Sequence, residues 1–199
     1  MNCIHPIILP VPPKASCLSI REKVKYLSRY ARRSIEISAE KSGYKIKTDD
    51  LSKDENGAPL PVRGIYWSVT HKPEYVGGVI ALKRIGIDIE KIRPCSPRLF
   101  AKIGDDKEWA LTDAAQLMVF FRYWTSKEAV LKAAGIGLRD LFKCRISEIT
   151  DDRHLIITYR NKEWLIEHLY FNGHIASVLR NTPDVDWVVH RFVNSSPLF

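Results

Sequence analysis

The sequence predicts an α+β fold on three observations. A Ser19–Glu22 capping box opens a helix-periodic stretch running towards Gly43, with Ile20, Val24, Leu27, Ala31 and Ile35 on its core side. A second stretch, from Thr112 to the stop at Gly135, places Ala114, Leu117, Met118, Phe121, Trp124 and Leu131 at the spacings of a long amphipathic helix. Around these lie runs of strand composition at 4–9, 75–82, 85–90, 144–149, 154–159, 164–171, 174–179 and 185–193, with Asn172-Gly173 a strong hairpin signal. Each half of the chain, taken as 1–93 and 94–199, thus supplies one long helix and several strands of a small antiparallel sheet.

Chemistry concentrates in two segments. Ile85, Ile87 and Ile89 alternate with Gly86, Asp88 and Glu90, so both carboxylates share one strand face. Their Cα atoms are then roughly 6.5–7 Å apart, within reach of one divalent cation. Gly86 is expected to leave open space beside them. On the second helix Glu128 and Lys132 form an i, i+4 pair, and Trp124, one turn earlier, is placed to dry that flank. Taken singly, such a strand is a solvated polar face and such a pair a surface salt bridge worth about 0.2–0.5 kcal/mol. Together they place carboxylates among isoleucines and aromatics, where a cation or partner is needed.

Gly86-Ile-Asp88-Ile-Glu90 and Trp124-Thr-Ser-Lys127-Glu128-Ala-Val-Leu-Lys132, followed by Gly135-Ile-Gly137-Leu138, resemble the two signatures of the 4′-phosphopantetheinyl transferases. The resemblance implies transfer of the phosphopantetheine arm of coenzyme A to a serine of an acidic apo carrier protein, with release of 3′,5′-ADP. It implies Mg²⁺, or Mn²⁺ in its place, held by Asp88, Glu90 and Glu128. Glu128 is the candidate base, and Lys132, supported by Lys127, would neutralise the pyrophosphate. The longer members of this family have two lobes related by a pseudo-twofold, with the site between them. A weaker motif, Ser68-Val-Thr70-His71-Lys72, is read as a turn in which Thr70 and His71 contact coenzyme A phosphates. Arg33 of Arg33-Ser34 aligns with a residue that grips the 3′-phosphate. Gly57-Ala58-Pro59 stands where the family has Gly-Lys-Pro, so that either Lys53 or Arg63 replaces the lysine or the contact is lost and coenzyme A binding is weaker. Glu108-Trp109 resembles a segment that brings a further glutamate near the metal.

The 31 Lys and Arg against 23 Asp and Glu give a net charge of +8, which suits an anionic partner. Helix residues Arg21, Lys23, Lys25, Arg29, Arg32, Arg33 and Lys41 carry much of it. A basic nucleic-acid-binding module is one competing reading, although no nucleic-acid motif accompanies the charge. A family member kept as a binding protein is another, and the intact carboxylate set argues against it. The four cysteines have neither zinc nor disulfide-framework spacing, and no stretch has the length or composition of a signal peptide or bilayer span. A cytoplasmic monomer with no nucleic-acid or membrane partner is expected.

Overall fold

A computed structural model of the protein describes residues 1–192. The first expected strand folds as two, β1 (Cys3–Ile4) and β2 (Ile7–Pro10). They part at His5-Pro6, since proline has no N–H to give a ladder. Helix α1 spans Ile20–Lys41 and starts at the expected capping box, with Glu22 N–H donating to Ser19 Oγ and Ser19 N–H donating to the Glu22 carboxylate. Leu27, Ala31 and Ile35 are buried, whereas Ile20 and Val24 are 86% and 52% exposed. The helix is covered only from Leu27 onward, so its first two turns present apolar residues to solvent.

Strands β3 (Tyr66–His71) and β4 (Tyr75–Ala81) form an antiparallel hairpin. Ser68 to His71 therefore lie in a strand, and the turn expected there falls at 72–74. Strand β5 (Ile87–Lys91) buries Ile87 and Ile89 completely. The connection after it, expected to be irregular, contains a 3₁₀ turn at Pro97–Lys102 and the short helix α2 (Asp106–Trp109). Helix α3 spans Gln116–Ala134. It begins after Thr112 because the threonine hydroxyl accepts from Ala114 N–H at 3.2 Å and closes a local turn instead. Gly135, at φ 69°, caps it by donating to the Leu131 and Lys132 carbonyls.

Strands β6 (Arg145–Ile149), β7 (His154–Tyr159), β8 (Lys162–Phe171) and β9 (His174–Leu179) follow as an antiparallel meander. Asn172 and Gly173 both have positive φ, as a two-residue hairpin turn requires. The last expected strand appears as two short ones, β10 (Asp184–Val185) and β11 (Val188–Val189), and Val193 lies outside the described residues.

The architecture is α+β. One sheet has the order β11-β2-β4-β3 and the other β5-β9-β8-β7-β6, while β1 and β10 form a separate parallel pair. Helix α1 packs on β4 and β3, and α3 packs on β9 and β5. A division at 93/94 cuts the chain just after β5, yet β5 hydrogen bonds to β9 in the second sheet. The C-terminal β11 in turn pairs with β2 of the first. Among the described residues no helix is long and apolar enough to cross a membrane.

The second sheet encloses His168, fully buried, with Nδ1 2.9 Å from Ser177 Oγ. Burial, and then the charge of Arg122, pushes its pKa well below the usual histidine range, so it stays neutral in the fold. The unfolded chain titrates near pH 6.5 and binds a proton below that which the fold refuses. Stability is therefore expected to fall as pH drops below about 6.5, and this contribution is absent above it. The measurement is urea unfolding at pH 7.5 and 5.5, where His168→Asn should lose less stability on acidification than wild type. An equal loss in both would remove His168 as the cause.

Candidate active site

Asp88 and Glu90 project from β5, Lys72 follows the end of β3, and Glu128 and Lys132 project from α3. Gly86, just before β5, makes their meeting possible. A side chain there would run into the backbone of α3, since an added Cβ would lie 2.8 Å from the Ala129 carbonyl carbon and 3.0 Å from Ala133 N. The space beside Gly86 is thus filled by the helix, contrary to the sequence expectation.

Asp88 is 1% exposed. Its Oδ1 accepts from Lys132 Nζ at 2.7 Å and from Thr70 Oγ1 at 2.8 Å, while its buried Oδ2 has no hydrogen-bond partner. Lys132 Nζ also donates to the Ile87 carbonyl at 3.0 Å and lies 3.8 Å from Glu128 Oε2, so it bridges Asp88 and Glu128. Lys72 Nζ donates to Glu90 Oε1 at 2.6 Å. Burial raises the pKa of Glu128, with the Asp88 charge adding to it and Lys132 and Lys72 opposing. Burial likewise raises Glu90 against the pull of Lys72. Lys72 itself is held above its ordinary value by Asp88 and Glu90, which outweigh the opposite effect of its burial.

Three carboxylates against two ammonium groups leave the cluster one formal negative charge in excess. Together with the orphaned Asp88 Oδ2, that fits a divalent cation with oxygen ligands. Among the described residues no group of three or more His, Cys, Asp or Glu side chains closes by itself around a common point; the lysines hold the carboxylates.

Beside the cluster is a cavity of about 200 Å³ lined by Lys53, Ser68, Lys132 and the 56–59 and 135–137 loops. Ser68 Oγ is tied to the start of β5, accepting from Ile87 N–H at 3.2 Å. Lys53 pairs through its backbone with Pro59, which sets it across from Ala58. Partial burial, then the charges of Arg32 and Lys132, lowers its pKa. Burial, then Lys132, Lys72 and Lys53, lowers that of His71. These side chains form a cationic field with a recess suited to phosphates. Lys53, and not Arg63, is therefore the cation next to the loop that lacks a lysine at Ala58.

Other candidates stand elsewhere. The Thr70 hydroxyl engages Asp88, so it positions a carboxylate instead of facing the cavity. Arg33 is exposed and pairs with Glu36, whereas its neighbour Arg32 donates to the Leu51 carbonyl at 2.8 Å and faces Lys53. Lys127 is 1% exposed, donates to Glu108 Oε1 at 2.7 Å and to the Ile103 carbonyl, and does not reach the carboxylate cluster. Glu108 also accepts from Ile146 N–H at 2.8 Å, so it belongs to this buried ion pair and not to the metal candidates. Lys72 escaped the sequence reading, although its place three positions before Tyr75, at a strand turn, is the signal that it returns towards β5.

Residues 84–179 match the family model described as the 4′-phosphopantetheinyl transferase superfamily. They carry β5, α3 and the whole second sheet, and with them Asp88, Glu90, Glu128 and Lys132. The match covers 96 of the chain's 199 residues, just under half. Among curated relatives, the chain is 32% identical over 90 residues to the 4′-phosphopantetheinyl transferase gsp of Aneurinibacillus migulanus, covering 43% of this chain and 38% of the relative. It is 34% identical over 91 residues to the 4′-phosphopantetheinyl transferase HetI of a Nostoc species, covering 42% and 38%. With the 4′-phosphopantetheinyl transferase psf-1 of Bacillus pumilus the identity is 31% over 104 residues, covering 47% and 44%. The chain thus matches well under half the length of these relatives.

Two outcomes are expected of this site. Mg²⁺ should raise the thermal midpoint of wild type, because a ligand bound only by the fold stabilises it, and Asp88→Asn should abolish most of the rise. Lys127→Met should cost about 3–5 kcal/mol in urea unfolding by stranding the Glu108 carboxylate, far more than an exposed lysine would cost.

Proposed function

We propose that the protein transfers the 4′-phosphopantetheine arm of coenzyme A to a serine hydroxyl of an apo acyl or peptidyl carrier protein and releases 3′,5′-ADP. The observation that carries this reading is the buried Asp88, with one oxygen held by Lys132 and Thr70 and the other free for a cation, inside the superfamily segment. Asp88, Glu90 and Glu128 would hold Mg²⁺, which supplies charge neutralisation on the pyrophosphate when bound. The cavity between Lys53 and Lys132 would take the phosphates, with His71 within the charge field of Lys132, Lys72 and Lys53.

In the reaction the serine Oγ attacks the β-phosphorus of the pyrophosphate, and the bond from that phosphorus to the bridging oxygen breaks. The electron pair leaves with 3′,5′-ADP. Glu128, half-buried beside Asp88 at the edge of the cluster, takes the serine proton directly or through a metal-bound water. Lys132 and Lys72 offset the charge that develops on the phosphoryl oxygens, so their ion pairs with Asp88 and Glu90 set them in place before substrate arrives. Thr70 keeps Asp88 from turning away.

Intact mass after incubation with coenzyme A, Mg²⁺ and an apo carrier protein tests the reaction. Wild type should add one phosphopantetheine to the carrier, and Asp88→Ala and Glu128→Ala should slow this by about 100-fold or more. No adduct on any of several carrier types would overturn the reading. Lys53→Ala should raise KM for coenzyme A about tenfold or more, the loss of a charge-assisted contact, with little change in kcat.

A further inference from the structure

A second cavity, of about 690 Å³, is separate from the one between Lys53 and Lys132. It opens where the ends of β2, β4 and β5 and the β8–β9 hairpin come together. Its apolar wall is formed by Pro10, Val11, Pro12 and Tyr75. Three of these four side chains are rigid rings, so little conformational entropy is lost when a partner covers them. Tyr75 is fixed edge-on against Phe171, with ring centroids 5.1 Å apart, and its hydroxyl accepts from Asn172 Nδ2 at 3.0 Å.

The rim is cationic. Lys23, Lys91 and Arg191 border the cavity, and Glu74 is its acidic lining residue. Glu74 is already neutralised by Lys91 at 2.5 Å, and His174 Nε2 lies 2.7 Å from its other oxygen. Lys23 and Arg191 have no carboxylate partner among the described residues, so two positive charges remain uncompensated around an apolar floor. The place of the cavity matters as well. Lys91 follows Glu90 in β5, and Pro73 follows Lys72 in the turn after β3, so the rim begins one residue from Glu90 and from the lysine paired with it. One residue of strand is about 3.4 Å, well within the span of a docked protein.

We propose that this groove docks an acidic segment of the acceptor protein, seating its apolar side chains on Pro10, Val11 and Tyr75 and its carboxylates on Lys23 and Arg191. The inference rests on the transferase reading. It assigns the acceptor to a face on the far side of β5 from the phosphate recess, so that acceptor and coenzyme occupy different cavities. Charge complementarity of this kind acts mainly on encounter and orientation.

The test is the double charge reversal Lys23→Glu/Arg191→Glu, both changes lying at the surface and outside the phosphate site. With saturating coenzyme A, KM for an apo acyl carrier protein should rise about tenfold or more, with kcat retained and the thermal midpoint unchanged. Calorimetric affinity for coenzyme A should stay within about twofold of wild type. An unchanged acceptor KM would overturn the proposal. So would a loss of coenzyme A affinity matching the loss in acceptor KM, which would give the groove to the nucleotide. Anisotropy of a labelled apo carrier protein, measured without coenzyme A, keeps the test independent of turnover. Binding by wild type and its loss in the double variant support the groove, and equal binding by both, or none by wild type, overturns it. Carrier binding without transfer would instead strike the proposed reaction and leave the docking face standing.

Discussion

Asp88 and Lys132 meet at 2.7 Å because β5 and α3 approach each other backbone to backbone at Gly86, where any side chain would strike the helix between Ala129 and Ala133. The site depends on that approach more than on any hydrogen bond within it. If α3 stood back by the thickness of a methyl group, Lys132 would release Asp88, and a buried carboxylate would lose its cation. A buried charge deprived of its partner costs several kcal/mol, so helix position and ion pair enforce each other. Gly78 makes room for side chains of α1, since a Cβ there would strike Ser34 Oγ and lie 2.8 Å from Ile35 Cδ1. Both long helices are thus seated on their sheets through glycines.

The close approach explains why two lysines of one motif do different work. Lys132 is four residues beyond Glu128, about 40° around the helix, and shares its face. Lys127 is five residues before Lys132, about 140° away, and enters the interior. There it is 1% exposed and binds Glu108, which fixes α2 and the start of β6 to the helix. The helix therefore carries one ion pair in the interior and another on the side facing β5. The buried pair holds the orientation in which Lys132 faces β5.

Much of this was legible in the sequence because alternation and helical spacing are local. The Asp88–Glu90 face, the Ser19–Glu22 cap and the Asn172-Gly173 hairpin follow from neighbouring residues alone. What failed depended on tertiary context. Ile20 and Val24 have core spacing but lie beyond the covered length of α1. The partners of Thr70 and Arg33, expected to contact phosphates, are likewise set by tertiary context: the Thr70 hydroxyl donates to Asp88 and the Arg33 side chain pairs with Glu36. Lys53 could be named only as one of two candidates, because its place opposite Ala58 is set by a bridge to Pro59 that no local pattern announces.

The lysines also explain how the carboxylates can be assembled before any cation is bound. Bringing Asp88, Glu90 and Glu128 together without compensation would drive protons onto them, as the raised pKa values of Glu90 and Glu128 already indicate. Lys132 and Lys72 limit that cost with two flexible ammonium groups, each on a side chain long enough to move. A divalent cation entering beside Asp88 Oδ2 would take over part of their role. The same ammonium groups would then be free to turn towards an incoming phosphate. On this view the ion pairs hold two cations in reserve, and their strength must be a compromise: firm enough to keep the carboxylates ionised, weak enough to be exchanged for a phosphate.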